Sequence, residues 1–145
     1  MVRKPSEGPG RGIIGLALLF TTSGILHFVF QDFLAAAIPE WIPNHGALVS
    51  LTGILELLGA AGLLLPPLRA IAAWALIALL VAVFPVNIQM LASARALGGL
   101  DWAQVLLWLR LPLQPLLIWI VYRYGVARPR GPRGPRSLGM AGTAV

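Results

Sequence analysis

The sequence predicts an all-α protein, a polytopic membrane four-helix bundle with both termini on the cytoplasmic side and a short interfacial helix in the first loop. Three observations predict it. The mean hydropathy is +0.83 and 58% of the 145 residues are apolar, which is beyond an ordinary soluble domain. Four apolar stretches each approach the ~20 residues that a helix needs to cross a bilayer. The net charge of +6 gathers at the two ends, where it reports orientation and attraction to anionic lipid rather than nucleic-acid binding. Such a chain has no room for a separate soluble catalytic domain. It has no cysteine, which excludes dithiol redox chemistry, thiolate metal sites and disulfides within the chain.

Residues 1–11, MVRKPSEGPGR, read as a flexible basic arm. The membrane body is 12–124, with spans at about 12–30, 47–65, 68–90 and 102–124. A secretory signal is weighed at the first span and set aside. A basic start does precede the apolar run, and LAAAIP (34–39) supplies small residues. The run is long for a signal sequence, however, and the candidate cleavage site follows aromatic and polar sequence.

Residues 31–46, QDFLAAAIPEWIPNHG, are too polar and proline-punctuated to span. Trp41, between Pro39 and Pro43, suits an interfacial helix and a rigid turn at headgroup level. Trp41 and Pro43 form a candidate lid over the bundle end, or an ordinary interfacial loop. Pro66, Pro67 and Arg69 make the tight second turn. Pro85 lies near the end of span three, where it should free the carbonyl of Val81 for a neighbouring side chain. Residues 92–101 read as a short loop. Span four holds Arg110, Gln114, Pro112 and Pro115. The tail 125–145, containing PRGPRGPR, has no apolar pattern and reads as disordered.

Lys and Arg decide the orientation. Arg3, Lys4, Arg11, Arg69 and the five arginines from Arg123 onward fall on one side, while the first loop carries Asp32 and Glu40 with no Lys or Arg. Four spans with both ends inside satisfy this.

Glu56 is the anomaly in span two, because an ionisable group inside a bilayer costs at least a few kcal/mol unless answered. At 1.5 Å rise per residue it lies ~14 Å below the outer surface, and Arg110 of span four lies at nearly the same depth. The two make a candidate buried ion pair. Gln114 is one turn from Arg110 on the same face. Ser23 and His27 share a face of span one, His27 only ~5 Å from the outer surface on the same rise. Asn87 lies just past Pro85. His27, Glu56, Asn87, Arg110 and Gln114 can thus point into the outer half of one bundle. Thr52, Gly53, Gly59 and Ala60 surround Glu56 with small residues that permit close helix approach. The cluster suits a ligand or proton site, and it equally suits a purely structural role in fixing helix register. A paired carboxylate is a poor general acid. No nucleophile is evident, and one histidine with one carboxylate is too few for a metal. No catalytic residue is assigned, and enzyme activity is not expected.

The stretch GILHFVFQDFLAAAIPEWIPNHGALVSLTGILELLGAAGLLLPPLRAIAAWALIALLVAVFPVNIQM resembles the DoxX-like small membrane proteins. The shared pattern is G-x-x-H-F, a proline-flanked W-I-P turn, G-x-x-E, L-L-P-x-x-R, F-P-x-N-I-x-M and the closing R-L-P-L-Q-P-L-L-I-W. It covers about residues 12–124 and marks His27, Trp41, Pro43, Glu56, Arg69, Pro85, Asn87, Arg110 and Gln114. The resemblance implies a four-helix bundle in a bacterial cytoplasmic membrane, associated with membrane oxidoreductase assemblies. That fold is also similar to vitamin K epoxide reductase, whose cysteine chemistry this chain lacks.

Three functions stay open. The first is an accessory or scaffold subunit of a membrane redox complex, with quinone or lipid as ligand and oxidoreductase subunits as partners. The second is a small transporter or permeability element using Glu56 and His27, working as a homo-oligomer. The third is a membrane assembly factor with a structural polar core.

Overall fold

A computed structural model describes residues 10–96 and 102–127. It is all-α. The helices are α1 (Arg11–Val29), α2 (Gln31–Ala36), α3 (His45–Leu64), α4 (Arg69–Ala96) and α5 (Trp102–Val121), followed by a π-helical turn at Tyr122–Val126. Three of them, Arg11–Val29, His45–Leu64 and the Arg69–Ala92 part of α4, are long and apolar enough to cross a membrane. This is a multi-pass membrane protein by length and composition. Consistent with that, leucines, isoleucines and tryptophans cover the outside, among them Leu18, Ile71 and Trp119.

The short connections make neighbours in sequence neighbours in space. Helix α1 packs on α3, α3 on α4 and α4 on α5. Two glycines set the first contact. A Cβ on Gly53 would lie 2.9 Å from the Cβ of His27 and 3.0 Å from the carbonyl oxygen of Gly24, and a Cβ on Gly24 would lie 2.9 Å from the carbonyl oxygen of Gly53. The backbones of α1 and α3 therefore touch there, in the close approach that small residues allow within a bilayer.

The bundle is packed unevenly. At the end that carries the N-terminus of α1 and the C-terminus of α5, Ile13, Leu16, Phe20, Ala60, Leu63, Ala73, Leu76 and Val121 form a continuous apolar core. Gly59 lies under Leu76, Gly62 under Ala72, Gly125 against Ala73 and Gly12 under the ring of Tyr124. Trp74 meets Tyr122 edge to face at 6.0 Å. Gly125 is buried, so the chain is still packed at a residue whose sequence suits the tail. The other half of the bundle holds the polar residues and is hollow.

One helix runs past its expected end, and three prolines lie inside helices. Helix α4 runs through Pro85 to Ala96, past residues that suit a loop, and α5 holds both Pro112 and Pro115. Proline removes one N–H, but it does not end a helix whose freed backbone is met by a neighbour. Nε2 of Gln114 in α5 donates to the carbonyl of Leu80, the residue before Val81, whose carbonyl is the one that Pro85 leaves without its helical donor. At the α3–α4 turn, Nε of Arg69 donates to the carbonyl of Leu63 at 2.9 Å, so the cation answers the last turn of α3. At the start of α3, Asn44 takes the left-handed conformation with φ 56°, which asparagine tolerates better than most residues.

Candidate functional site

The site is built by α1, α3, α4 and α5 in the hollow half. His27, Thr52, Glu56, Asn87 and Gln114 are all buried, in a protein whose other buried side chains are almost entirely apolar. A polar residue in a spanning helix turns inward because lipid cannot satisfy it. Thr52 and Glu56, four apart, share the inner face of α3.

The hydrogen bonds order these groups. Thr52 Oγ1 donates to the carbonyl of Leu48 at 2.6 Å. Asn87 Nδ2 donates to Gln114 Oε1 at 2.9 Å, joining α4 to α5. Gln114 uses its own N–H on Leu80, so one amide both secures the proline-bearing stretch of α4 and holds Asn87. His27 Nδ1 is 2.9 Å from the carbonyl oxygen of Ser23, one turn back in α1, and 3.6 Å from Glu56 Oε2.

The sequence thus places His27, Glu56, Asn87 and Gln114 in one buried region, and the structure resolves it into two pairs, His27 with Glu56 and Asn87 with Gln114. The backbone of Arg110 belongs to α5. Its side chain, and with it the expected Glu56–Arg110 pair, lies outside the described residues. Among the described residues, no group of three or more His, Asp or Glu could hold a metal ion.

Two cavities meet this cluster. The larger, about 640 Å³, is walled mainly by apolar side chains of α1, α4 and α5, with Thr22, Ser23, Thr52, Glu56, Asn87 and Gln114 as its polar lining. The smaller, about 170 Å³, lies between α2, α3 and α4 and reaches His27, Thr52 and Asn87. Thr52 and Asn87 border both, so they form part of the partition. Glu56 faces the larger cavity and His27 the smaller.

The smaller cavity is covered by Leu34 of α2 and by Ile38. Trp41 is 72% exposed, Pro43 is exposed too, and neither lines either of these two cavities. The covering residues therefore precede the Trp41 turn, because α2 folds back onto α3, held by a hydrogen bond from Gln31 Nε2 to the carbonyl of Gly46 at 3.2 Å. Thr52 is the site residue that sequence reasoning undervalued, as a merely small residue. Its position one turn before Glu56 was the available signal.

A family model described as a domain of unknown function (DUF8561) matches residues 16–125. The chain belongs to this family. The match takes in α1 from Leu16 onward, all of α3, α4 and α5, and every residue of the polar cluster. It carries no DoxX assignment and indicates no activity. No curated protein and no solved structure is significantly similar to the chain.

Proposed function

We propose that this protein is a ligand-holding accessory or scaffold subunit of a membrane redox complex, with a quinone or a lipid in the larger cavity. One observation carries the binding part. A cavity of about 640 Å³ with buried Thr52, Glu56, Asn87 and Gln114 in a mostly apolar wall has the usual make-up of a small-molecule site, an apolar pocket with a few placed polar groups. The resemblance of the G-x-x-H-F, G-x-x-E and F-P-x-N-I-x-M segments to DoxX-like proteins supports the redox setting in a bacterial cytoplasmic membrane. The Lys and Arg distribution supports cytoplasmic termini, which puts the cavity in the outer half of the bilayer. Purification in mild detergent followed by native mass spectrometry tests this. Bound quinone or lipid together with oxidoreductase subunits is the expected result. Recovery of the chain alone and empty would overturn it.

The His27–Glu56 contact favours a second reading. Two titratable groups 3.6 Å apart, one on each cavity, suit a proton or solute path through an oligomer. Proton flux in proteoliposomes that is the same for the wild type and Glu56→Gln would remove that reading.

A further inference from the structure

We propose that the smaller cavity is a separate binding site for a compact apolar molecule bearing one hydroxyl, about the size of a single ring, with Nε2 of His27 as the seat of the hydroxyl. This goes beyond the reading above and does not depend on what fills the larger cavity.

The seat follows from the hydrogen of the His27 ring. The side chain is only 9% exposed. Its Nδ1 faces the carbonyl oxygen of Ser23 at 2.9 Å and Glu56 Oε2 at 3.6 Å. A carbonyl oxygen only accepts, so Nδ1 carries the hydrogen, and in the neutral ring Nε2 is left as a bare lone pair. Among the described residues no hydrogen bond reaches that nitrogen. His27 lines the smaller cavity and not the larger, so the edge of the ring away from Ser23 and Glu56 is the one turned to it. His45 is the contrast. Its Nε2 lies 3.1 Å from the carbonyl oxygen of Pro39, so there the hydrogen sits on the other nitrogen. A buried acceptor without a donor costs free energy, which a ligand's hydroxyl recovers.

The rest of the lining fixes the class of ligand. Thr52 has given its O–H to Leu48 and presents lone pairs. Asn87 has given one N–H to Gln114 and keeps the other N–H and its carbonyl oxygen. The cavity therefore offers acceptors and one donor, and a hydroxyl answers both senses. An ether or a ketone could use the Asn87 N–H but would leave Nε2 of His27 unmet. The remaining walls are aliphatic, among them Val49, Leu55, Val86 and Met90. The volume of about 170 Å³ is close to that of an engineered apolar cavity of about 150 Å³ that binds benzene. Leu51 and Leu55 line the cavity and are also 52% and 42% exposed, which on a spanning helix is exposure to acyl chains. The site is thus continuous with hydrocarbon, and a lipid-soluble molecule reaches it. Water would satisfy the ring nitrogen but wet an alkyl wall.

The test is nitrogen NMR of the full chain in detergent, labelled at its two histidines, with phenol and anisole as probes. The two rings should show opposite tautomers, with the hydrogen on Nδ1 in His27 and on Nε2 in His45. Phenol should move the Nε2 signal of His27 and leave His45 in place. Anisole, which lacks the hydroxyl hydrogen, should bind about tenfold more weakly, as expected for one lost hydrogen bond. His27→Phe should bind phenol no better than anisole. Val86→Phe, which fills the smaller cavity, should exclude both probes and still retain any quinone or lipid of the larger cavity, which Val86 does not line. A hydrogen found on Nε2 of His27, or equal binding of phenol and anisole, would overturn the seat. A His27 signal that phenol leaves unmoved, the mark of a hydrated cavity only, would overturn the site. Quinone or lipid retained from the native membrane in the face of those results would leave the ligand-holding function standing and sink only this inference.

Discussion

His27 of α1 and Glu56 of α3 approach to 3.6 Å, Nδ1 to Oε2, although a count along each span places them ~9 Å apart in depth at 1.5 Å per residue. Two features close that gap. Side chains on a helix lean toward its N-terminus. Helices α1 and α3 run in opposite directions, so His27 leans into the bundle while Glu56 leans out toward its entrance. The Gly24–Gly53 contact then brings the two backbones together beside them.

Gly53 is accordingly the residue on which this approach depends. Gly53→Ala places a methyl 2.9 Å from the Cβ of His27 and 3.0 Å from a backbone oxygen. The backbone neighbour yields only if the helices separate, and such overpacking costs about 1–3 kcal/mol. A clear drop in Tm in detergent is expected. An unchanged Tm would show that the helices do not meet as described.

The Asn87–Gln114 bond should behave as a unit. Gln114→Leu strands the Asn87 amide and the extra bond to Leu80, at roughly 1–3 kcal/mol for a buried polar group left unmet. Asn87→Leu strands the Gln114 oxygen. The double variant should be less damaging than the sum, with a coupling of about 0.5–3 kcal/mol in a double-mutant cycle. Strict additivity would break the link between α4 and α5.

Arg69 is expected to matter through the end of α3. Losing its bond to the Leu63 carbonyl and its charge at a helix C-terminus should cost about 1 kcal/mol in Arg69→Gln. Arg69→Lys should recover part of it, since lysine keeps the charge without the guanidinium's geometry. Equal stability of Arg69→Gln and the wild type in chemical unfolding would refute this role.

Orientation is open to direct labelling, because any introduced cysteine is the only thiol in the chain. Trp41→Cys, on the exposed first loop, should react with an impermeant maleimide on intact cells. Pro67→Cys, in the exposed second turn, should react only after the membrane is opened. The reverse pattern would invert the topology drawn from Lys and Arg.

Much of this architecture was legible in the residues. Apolar runs of spanning length have few alternatives, and their punctuation by Pro39, Pro43, Pro66 and Pro67 marked the turns before α3 and α4. Burial of His27, Glu56, Asn87 and Gln114 was legible for the same reason, since a polar group within lipid has only one favourable direction. Contacts between helices were less so. Span three was expected to end near Met90 because residues 92–101 suit a loop, and α4 instead continues to Ala96. Matched depth led from Glu56 to Arg110, a pair that lies outside the described residues, and the contact of Glu56 with His27 was not legible because it depends on helix direction and on two glycines. Trp41 between two prolines suited a lid or an ordinary interfacial loop, and it lines neither cavity, the smaller of which Leu34 and Ile38 border instead.

The unequal packing of the bundle has a mechanical consequence. One end is clasped where Gly12, Gly59, Gly62 and Gly125 lie flush against Tyr124, Leu76, Ala72 and Ala73, and the other end stands apart around the larger cavity. Two pairs of rods joined in this way act as tongs. A rotation about the clasp would move the free ends most, so the width of the jaws is the dimension that this packing constrains least.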